Sequence, residues 1–273
     1  MLETYLTTVR KQNPIIHNIT NYVTVNDVAN ILLASGASPI MSDEPEEVID
    51  ITNICNGLNI NIGTLNKQTI KAMFLAGQQA NKLGHIVLLD PVGAGASQLR
   101  TETAIKLMEE LKIDLIRGNI SEIKNLAIGS QTTRGVDANI SDAITEKNLE
   151  SAIHFAKDFA QKSNCVVIIT GAIDLVSDGN KCFVIRNGKS EMGKITGTGC
   201  QLSGLITAFV SSFPTSKLEA AVAAVCTMGL AGEIASTHLA SYEGNASYRN
   251  RIIDAVYNMT SIDLKRGAKY DIR

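Results

Sequence analysis

The chain is predicted to be a single α/β domain over residues 1–273, a three-layer αβα sandwich around a mainly parallel sheet. Two patterns lead there. Short apolar runs, the kind a strand buried on both faces requires, alternate with longer segments of helical periodicity. No linker, repeat or low-complexity tract interrupts this alternation, and only five prolines are scattered along it. A third observation is that turns rich in glycine and acidic residues follow several of the apolar runs, where an α/β fold places its ligands.

The elements are read in chain order. Residues 14–16 form a first strand and Ser38–Met41 a second. Asp43, with Pro45 close behind, is expected to be a helix N-cap with a first-turn proline. Residues 58–62 form the third strand. Lys67–Leu83 follows as a helix, with Ile70, Met73, Phe74, Gly77, Ala80 and Leu83 on its apolar face. Residues 86–89 form the fourth strand, and Ile105, Met108 and Leu111 recur at helical spacing behind it. Residues 114–116 and 166–169 continue the sheet. Residues 173–177 and 181–185, joined through Asp178-Gly179-Asn180, are expected to be a hairpin at the sheet edge. The turn Gly197-Thr198-Gly199-Cys200 opens into a helix, and two further helices, 216–239 and 246–260, close the chain. The first of those two is rich in Ala and Gly, so it should pack closely against a neighbour.

Composition excludes several function classes. The formal net charge is −2 with four histidines, which leaves no sizeable basic surface for nucleic acid or an anionic membrane. Aromatic residues make up 4% and Trp is absent, so no platform for stacking single-stranded bases is expected. Cys55, Cys165, Cys182, Cys200 and Cys226 form no C-x-x-C pair, and reduced thiols in a cytoplasmic protein are the simplest reading. Met1-Leu2-Glu3-Thr4-Tyr5 does not have the pattern of a signal peptide. Residues 220–240 approach the length of a membrane span, but Gly229, Gly232, Glu233 and His238 interrupt them and favour a buried helix.

Four motifs carry chemistry. Gly197-Thr198-Gly199-Cys200 offers free backbone N–H groups at a helix start, where the dipole attracts a phosphoryl group and glycine leaves room for it. Cys200 lies on that first turn, where the same field should favour its thiolate and make it a proton acceptor. Asp90-Pro91-Val92-Gly93-Ala94-Gly95 and Arg117-Gly118-Asn119-Ile120-Ser121-Glu122 follow neighbouring strands. Asp90 and Glu122 can hold a magnesium ion directly or through water, and Arg117 can meet phosphate oxygens in a bidentate way. Taken alone, Asp90 is equally a turn residue before proline, and Asn119 with Glu122 is equally a reciprocal helix cap. Thr170-Gly171 follows the strand at 166–169. No G-x-x-x-x-G-K-[ST] is present, and no G-x-G-x-x-G follows the first strand, so neither the P-loop nor the dinucleotide fingerprint applies.

Along nearly its whole length the chain resembles ribokinase-fold kinases, and specifically the hydroxyethylthiazole kinase family of thiamine synthesis and salvage. The residues that carry the resemblance are His17-Asn18-Ile19-Thr20-Asn21, Gly36-Ala37-Ser38-Pro39-Ile40-Met41 and Asn61-Ile62-Gly63-Thr64-Leu65. With them go Asp90-Pro91-Val92-Gly93-Ala94-Gly95, Arg117-Gly118-Asn119 with Glu122, and Thr196-Gly197-Thr198-Gly199-Cys200. The wider superfamily usually ends its anion-hole motif in Asp, and cysteine at position 200 resembles the thiazole kinase branch. The resemblance implies transfer of the ATP γ-phosphoryl group to the primary alcohol of 4-methyl-5-(2-hydroxyethyl)thiazole. It implies Asp90 and Glu122 near Mg2+, Arg117 and Thr170 at ATP, Met41 and Gly197 at the alcohol substrate, and catalysis at Cys200. It also implies a homotrimer with active sites at the subunit interfaces. A thioether at Met41 suits a neutral sulfur-containing ring. His17 and Asn21 are explained equally by substrate contact and by a capped turn. Rival expectations are a sibling kinase of hydroxymethylpyrimidine or pyridoxal-like alcohols, a nucleotide-repair lyase of the same fold, and a silent small-molecule binder.

Overall fold

The computed structural model describes residues 2–129 and 143–273. A nine-stranded sheet runs through it in the order β2-β1-β3-β4-β5-β6-β7-β8-β9. Strands β1 (Ile15–Ile19), β2 (Ser38–Met41), β3 (Gly57–Asn61), β4 (Ile86–Asp90), β5 (Leu115–Asn119) and β6 (Val166–Thr170) pair in parallel. Strands β7 (Asp174–Ser177), β8 (Cys182–Ile185) and β9 (Tyr270–Ile272) pair antiparallel.

Alternation within each strand sorts the core into two layers. Leu88 and Ile168 face one side, while Leu89 and Ile169, one residue on, face the other. The first side is covered by α1 (Glu3–Gln12), α2 (Val25–Ser35), α8 (Thr198–Ser212), α9 (Lys217–Thr237), α10 (Asn245–Asn258) and α11 (Ser261–Gly267). The second is covered by α3 (Val48–Ile54), α4 (Lys67–Leu83), α5 (Gln98–Glu110), α6 (Ile120–Gly129) and α7 (Leu149–Ser163). The expected three layers and mainly parallel sheet are what the molecule has.

Ser38–Met41 and Lys67–Leu83 coincide with the expected elements. Four local expectations change. The helix near Pro45 starts at Val48, with Glu47 at the cap position and no side-chain cap, so Asp43 is no N-cap. The α4 face keeps Met73, Gly77 and Ala80 buried as expected but is shifted to take in Thr69, Ala72 and Ala76, while Leu83 is exposed at its end. The β7–β8 hairpin does not form the sheet edge, because β9 pairs with β8 outside it. The chain ends in three helices and that strand, α10 giving way to a short α11 capped reciprocally by Thr260 and Asp263.

Helix α9 is long and apolar enough to cross a bilayer, yet most of it is buried inside the molecule. It packs between α8 and α10, as its small residues lead one to expect. Helix α8 is buried on nearly every side, so its N-terminus is rigidly aimed at the ends of the strands.

Candidate active site

Strand order reverses at β1, whose two neighbours are β2 and β3. Such a switch opens a crevice beyond the carboxyl ends of the strands. Met41 ends β2, Asn61 ends β3, Asp90 ends β4, Arg117 sits near the end of β5 and Thr170 ends β6. Each of these residues occupies that one rim.

Helix α8 points its N-terminus at the same rim. Gly197 caps it with a φ of 88°, a left-handed conformation open to glycine at little cost. The first turn bond is Gln201 N–H to the Gly197 carbonyl at 2.9 Å, so the amides of Thr198, Gly199 and Cys200 lack intrahelical acceptors. These amides and the helix dipole together form an anion site. A Cβ at Gly199 would run into the Arg117 guanidinium, so glycine there lets the arginine lie against the turn.

Arg117 Nη2 donates to Thr170 Oγ1 at 2.6 Å, and Nη1 stands 3.7 Å from Asp90 Oδ1. Its Nε is buried without a partner. Arg117, Thr170, Thr198 and Gly199 line a cleft of about 470 Å³ whose apolar wall includes Leu202 and Met228. That volume falls in the range of cofactor pockets.

Asp90 is fully buried. Its Oδ2 accepts from Asn61 Nδ2 at 2.7 Å and Ser203 Oγ at 2.8 Å, while Oδ1 has no hydrogen-bond partner. Burial pushes its carboxyl up to about 6, against the pull of Arg117 and the two hydrogen bonds, with Glu122 adding to the rise. Glu122 also forms the reciprocal cap with Asn119. Its Oε2 accepts from Asn119 N–H at 2.8 Å, and Asn119 Oδ1 accepts from Glu122 N–H at 2.9 Å. Glu122 Oε1 accepts from Gly93 N–H at 2.8 Å, tying the turn after β4 to the start of α6. The reciprocal cap expected as one reading of Asn119 and Glu122 is therefore formed.

Cys200 is buried, and its Sγ accepts from Asn21 Nδ2 and Asn61 Nδ2, both at 3.3 Å. Asn61 therefore bridges the thiol and Asp90 through one amide nitrogen. The expected thiolate character does not survive folding. Burial first, and the neighbouring Asp90 second, push the Cys200 thiol up, and they outweigh Arg117 and the Asn21 amide. Enclosure removes the water that would stabilise a thiolate, and this cost exceeds what favours the charged form.

Met41 lines a second, smaller cleft of about 170 Å³ together with Asn18, Thr20, Tyr22 and Thr64. Asn21 connects the clefts: its chain neighbours Thr20 and Tyr22 line the smaller one, and its amide holds Cys200, next to Gly199 of the larger one. Asn21 Oδ1 also accepts from Thr24 N–H at 3.1 Å, so the capped turn and the site contact coexist. His17 plays another part. Fully buried, it contacts Thr52 Oγ1 through Nδ1 at 3.0 Å and the Ser42 carbonyl through Nε2 at 2.9 Å, and it lines neither cleft. Burial lowers its pKa, which favours the neutral ring with Nε2–H donating to Ser42. Gly197 lies against Thr24 at the start of α2 rather than in the wall of either cleft.

The hydroxyethylthiazole kinase family model matches residues 6–261. A hydroxyethylthiazole kinase of Clostridium acetobutylicum is 56% identical over 271 residues, 99% of this chain and 99% of that one. The chain belongs to the hydroxyethylthiazole kinase family. The structure of a hydroxyethylthiazole kinase from Pyrococcus horikoshii OT3 superposes with a TM-score of 0.88 at 35% identity, covering 100% of this chain and 98% of that one. The ADP complex of Bacillus subtilis pyridoxal kinase superposes with a TM-score of 0.61 at 18% identity, covering 80% of this chain and 90% of that one, a likeness of fold.

In this member of the hydroxyethylthiazole kinase family, the residues that tie the site together are Asn61, Asn21 and Ser203. Asn61 and Asn21 lie in motifs the sequence singles out, but nothing in one sequence assigns them to the thiol and the aspartate. Ser203 carries no signal until α8 exists, because it reaches Asp90 only from the helix turn after Cys200.

Proposed function

We infer that this chain transfers the γ-phosphoryl group of ATP to the primary alcohol of 4-methyl-5-(2-hydroxyethyl)thiazole, producing the thiazole phosphate used in thiamine synthesis. The observation that carries this reading is the 197–200 turn in the wall of a larger cleft, joined through the Asn21–Cys200 contact to the segment that lines a smaller one. Arg117 and Thr170 line the larger one, which suits the nucleotide. Met41 lines the smaller one, whose volume suits a single-ring alcohol. Membership of the kinase family and the retained Cys200 support the thiazole over a pyrimidine or pyridoxal-like acceptor.

Phosphoryl transfer passes through a loose transition state, so positioning and charge stabilisation carry most of the catalysis. Arg117, fixed by Thr170, holds phosphate oxygens against the turn, and the amides of Thr198, Gly199 and Cys200 receive the migrating group. Gly197 gives this turn its shape from its place against Thr24, outside both clefts. Cys200 accepts the hydroxyl proton late in the transfer. The raised thiol makes the reactive thiolate a minor form at neutral pH.

Among the described residues no group of three or more His, Cys, Asp or Glu side chains could hold a metal. The partnerless Asp90 Oδ1 and the capped Glu122 nevertheless fit a magnesium ion whose remaining ligands are phosphate oxygens and water. When bound, such an ion would supply charge neutralisation at the transferring phosphates. Asp90, with its open Oδ1, would hold it directly, and Glu122, each oxygen already accepting a backbone N–H, would act through water.

The active enzyme is a homotrimer with sites at the subunit interfaces. Tyr22 and Val23, 79% and 59% exposed beside the smaller cleft, support this assembly. Its compartment is the cytoplasm, in keeping with five free, buried cysteines.

The test is ADP release from purified protein with ATP and magnesium, comparing hydroxyethylthiazole, hydroxymethylpyrimidine, pyridoxal and no acceptor. Release that depends on the thiazole is expected. Release only with another alcohol would overturn the assignment of the Met41 cleft, and no release with any acceptor would overturn the kinase reading.

A further inference from the structure

One rim of the larger cleft is formed by Asn187, Gly188, Lys189 and Ser190, just beyond β8. Neither its own strand nor the catalytic turn holds this rim. Glu233, on α9, accepts from Gly188 N–H at 2.9 Å and from Asn187 Nδ2 at 3.1 Å through the same Oε1. Its other oxygen accepts from Lys269 Nζ at 2.7 Å. The Asn187 amide is fully engaged as well: Nδ2 also donates to the Gly267 carbonyl at 2.8 Å, and Oδ1 accepts from Lys269 N–H at 2.8 Å. Helix α9 presses directly on this elbow, where a Cβ on Gly229 would lie 2.6 Å from Asn187 Cβ.

We propose that Glu233 is a positioning residue for the nucleotide, holding the rim at Asn187–Gly188 in place through α9 and the segment that leads into β9. The proposal rests on the reading that the larger cleft takes ATP. Glu233 does not line the cleft itself and acts through the backbone of Gly188 and the side chain of Asn187. Burial alone would raise its carboxyl, but the hydrogen bonds from Lys269, Gly188 and Asn187 hold it below the usual range. It therefore remains a carboxylate at neutral pH, the form that accepts all three bonds. Both Asn187 Nδ2 hydrogens are used in these bonds, so the side chain offers a ligand no donor and contributes mainly shape to the cleft.

Nucleotide and alcohol affinities separate positioning from general stability. Glu233→Ala removes the acceptor of three bonds, whereas Glu233→Gln keeps an oxygen for Gly188 and Asn187 and loses the ion pair with Lys269. ADP affinity would be measured by titration calorimetry on the full chain, alongside KM for ATP, KM for the alcohol, kcat and Tm. Glu233→Ala is expected to weaken ADP binding and raise KM for ATP about tenfold, with kcat and the alcohol KM unchanged. Glu233→Gln is expected to fall between it and the wild type and to serve as the readout if the alanine variant does not fold. Unchanged ADP affinity in the glutamine and alanine variants would overturn the proposal. An equal loss for both substrates that follows a fall in Tm would also overturn it. Wild-type protein that does not bind ADP would instead remove the assignment of the cleft, and the proposal with it.

Discussion

Asp90 is the side chain on which charge and burial conflict most. In an unfolded chain its carboxyl titrates near 3.8, and in the folded, metal-free protein near 6. Between those values the unfolded chain has released the proton while the folded protein still holds it. Stability of the metal-free protein therefore falls as pH rises from about 4 to about 6 and is level above that. The shift corresponds to roughly 3 kcal/mol. Asp90→Asn is expected to melt higher than the wild type at pH 7.5 and close to it near pH 4, and to lack activity. Thermal unfolding of both metal-free proteins at the two pH values measures this, and an equal gap at both would contradict it. Cys200 makes the complementary case. Its pKa is raised and it must be ionised to accept a proton, so turnover at saturating substrates should climb with pH above neutrality. Cys200→Asp should keep activity and lose that climb. Cys200→Ser should lose turnover by about a hundredfold or more with little change in substrate affinity. A serine variant as fast as the wild type would remove the proton-acceptor role and leave the anion turn intact.

At the scale of elements, the start of α8 combines two glycines with different jobs. Gly197 meets a backbone requirement, since its φ is left-handed and a Cβ there would press on Thr24. Gly199 meets a steric one, because the obstacle to a Cβ is the far end of a flexible arginine. Gly199→Ala should therefore leave the fold and Tm nearly unchanged while displacing Arg117 from Thr170. Activity is then expected to fall about a hundredfold, in line with the cost of small misplacements near a reacting group. A large drop in Tm would instead place Gly199 among the residues the helix needs to form. The same helix shows why its position was legible. A glycine turn before an apolar run is a local signal, whereas its burial against α2, α9 and the strands β1, β3 and β4 is not.

For the whole molecule, assembly has a direct measure. Light scattering of the purified protein should give three times the chain mass of 29.2 kDa. A charge placed on the exposed apolar patch by Val23→Asp should lower that mass and raise the alcohol KM more than the ATP KM. A monomeric wild type with full activity would dismiss interface sites.

Much of this protein was decided locally. The apolar runs at 38–41, 86–89 and 166–169, the periodicity of Lys67–Leu83 and the glycines before Cys200 specify strands, helix and anion turn through short-range sterics and solvent preference. From those elements the layered fold follows, and with it the placement of Asp90, Arg117 and Thr170 at one rim. Other features needed distant parts of the chain to meet. The reciprocal cap at Asn119 and Glu122 was legible, but its bond to Gly93 was not. The added strand β9 depends on pairing between residues 182–185 and 270–272, nearly ninety positions apart. Burial of Cys200 beside Asp90 depends on α8 docking onto β1, β3 and β4, and that docking reverses the expected ionisation of the thiol. Sequence by itself determined which groups are candidates for the chemistry and on which elements they lie, because backbone geometry and residue type are local properties. Only the tertiary structure decided their charge states and what holds them in place, because desolvation and long-range hydrogen bonds exist only once the layers have closed.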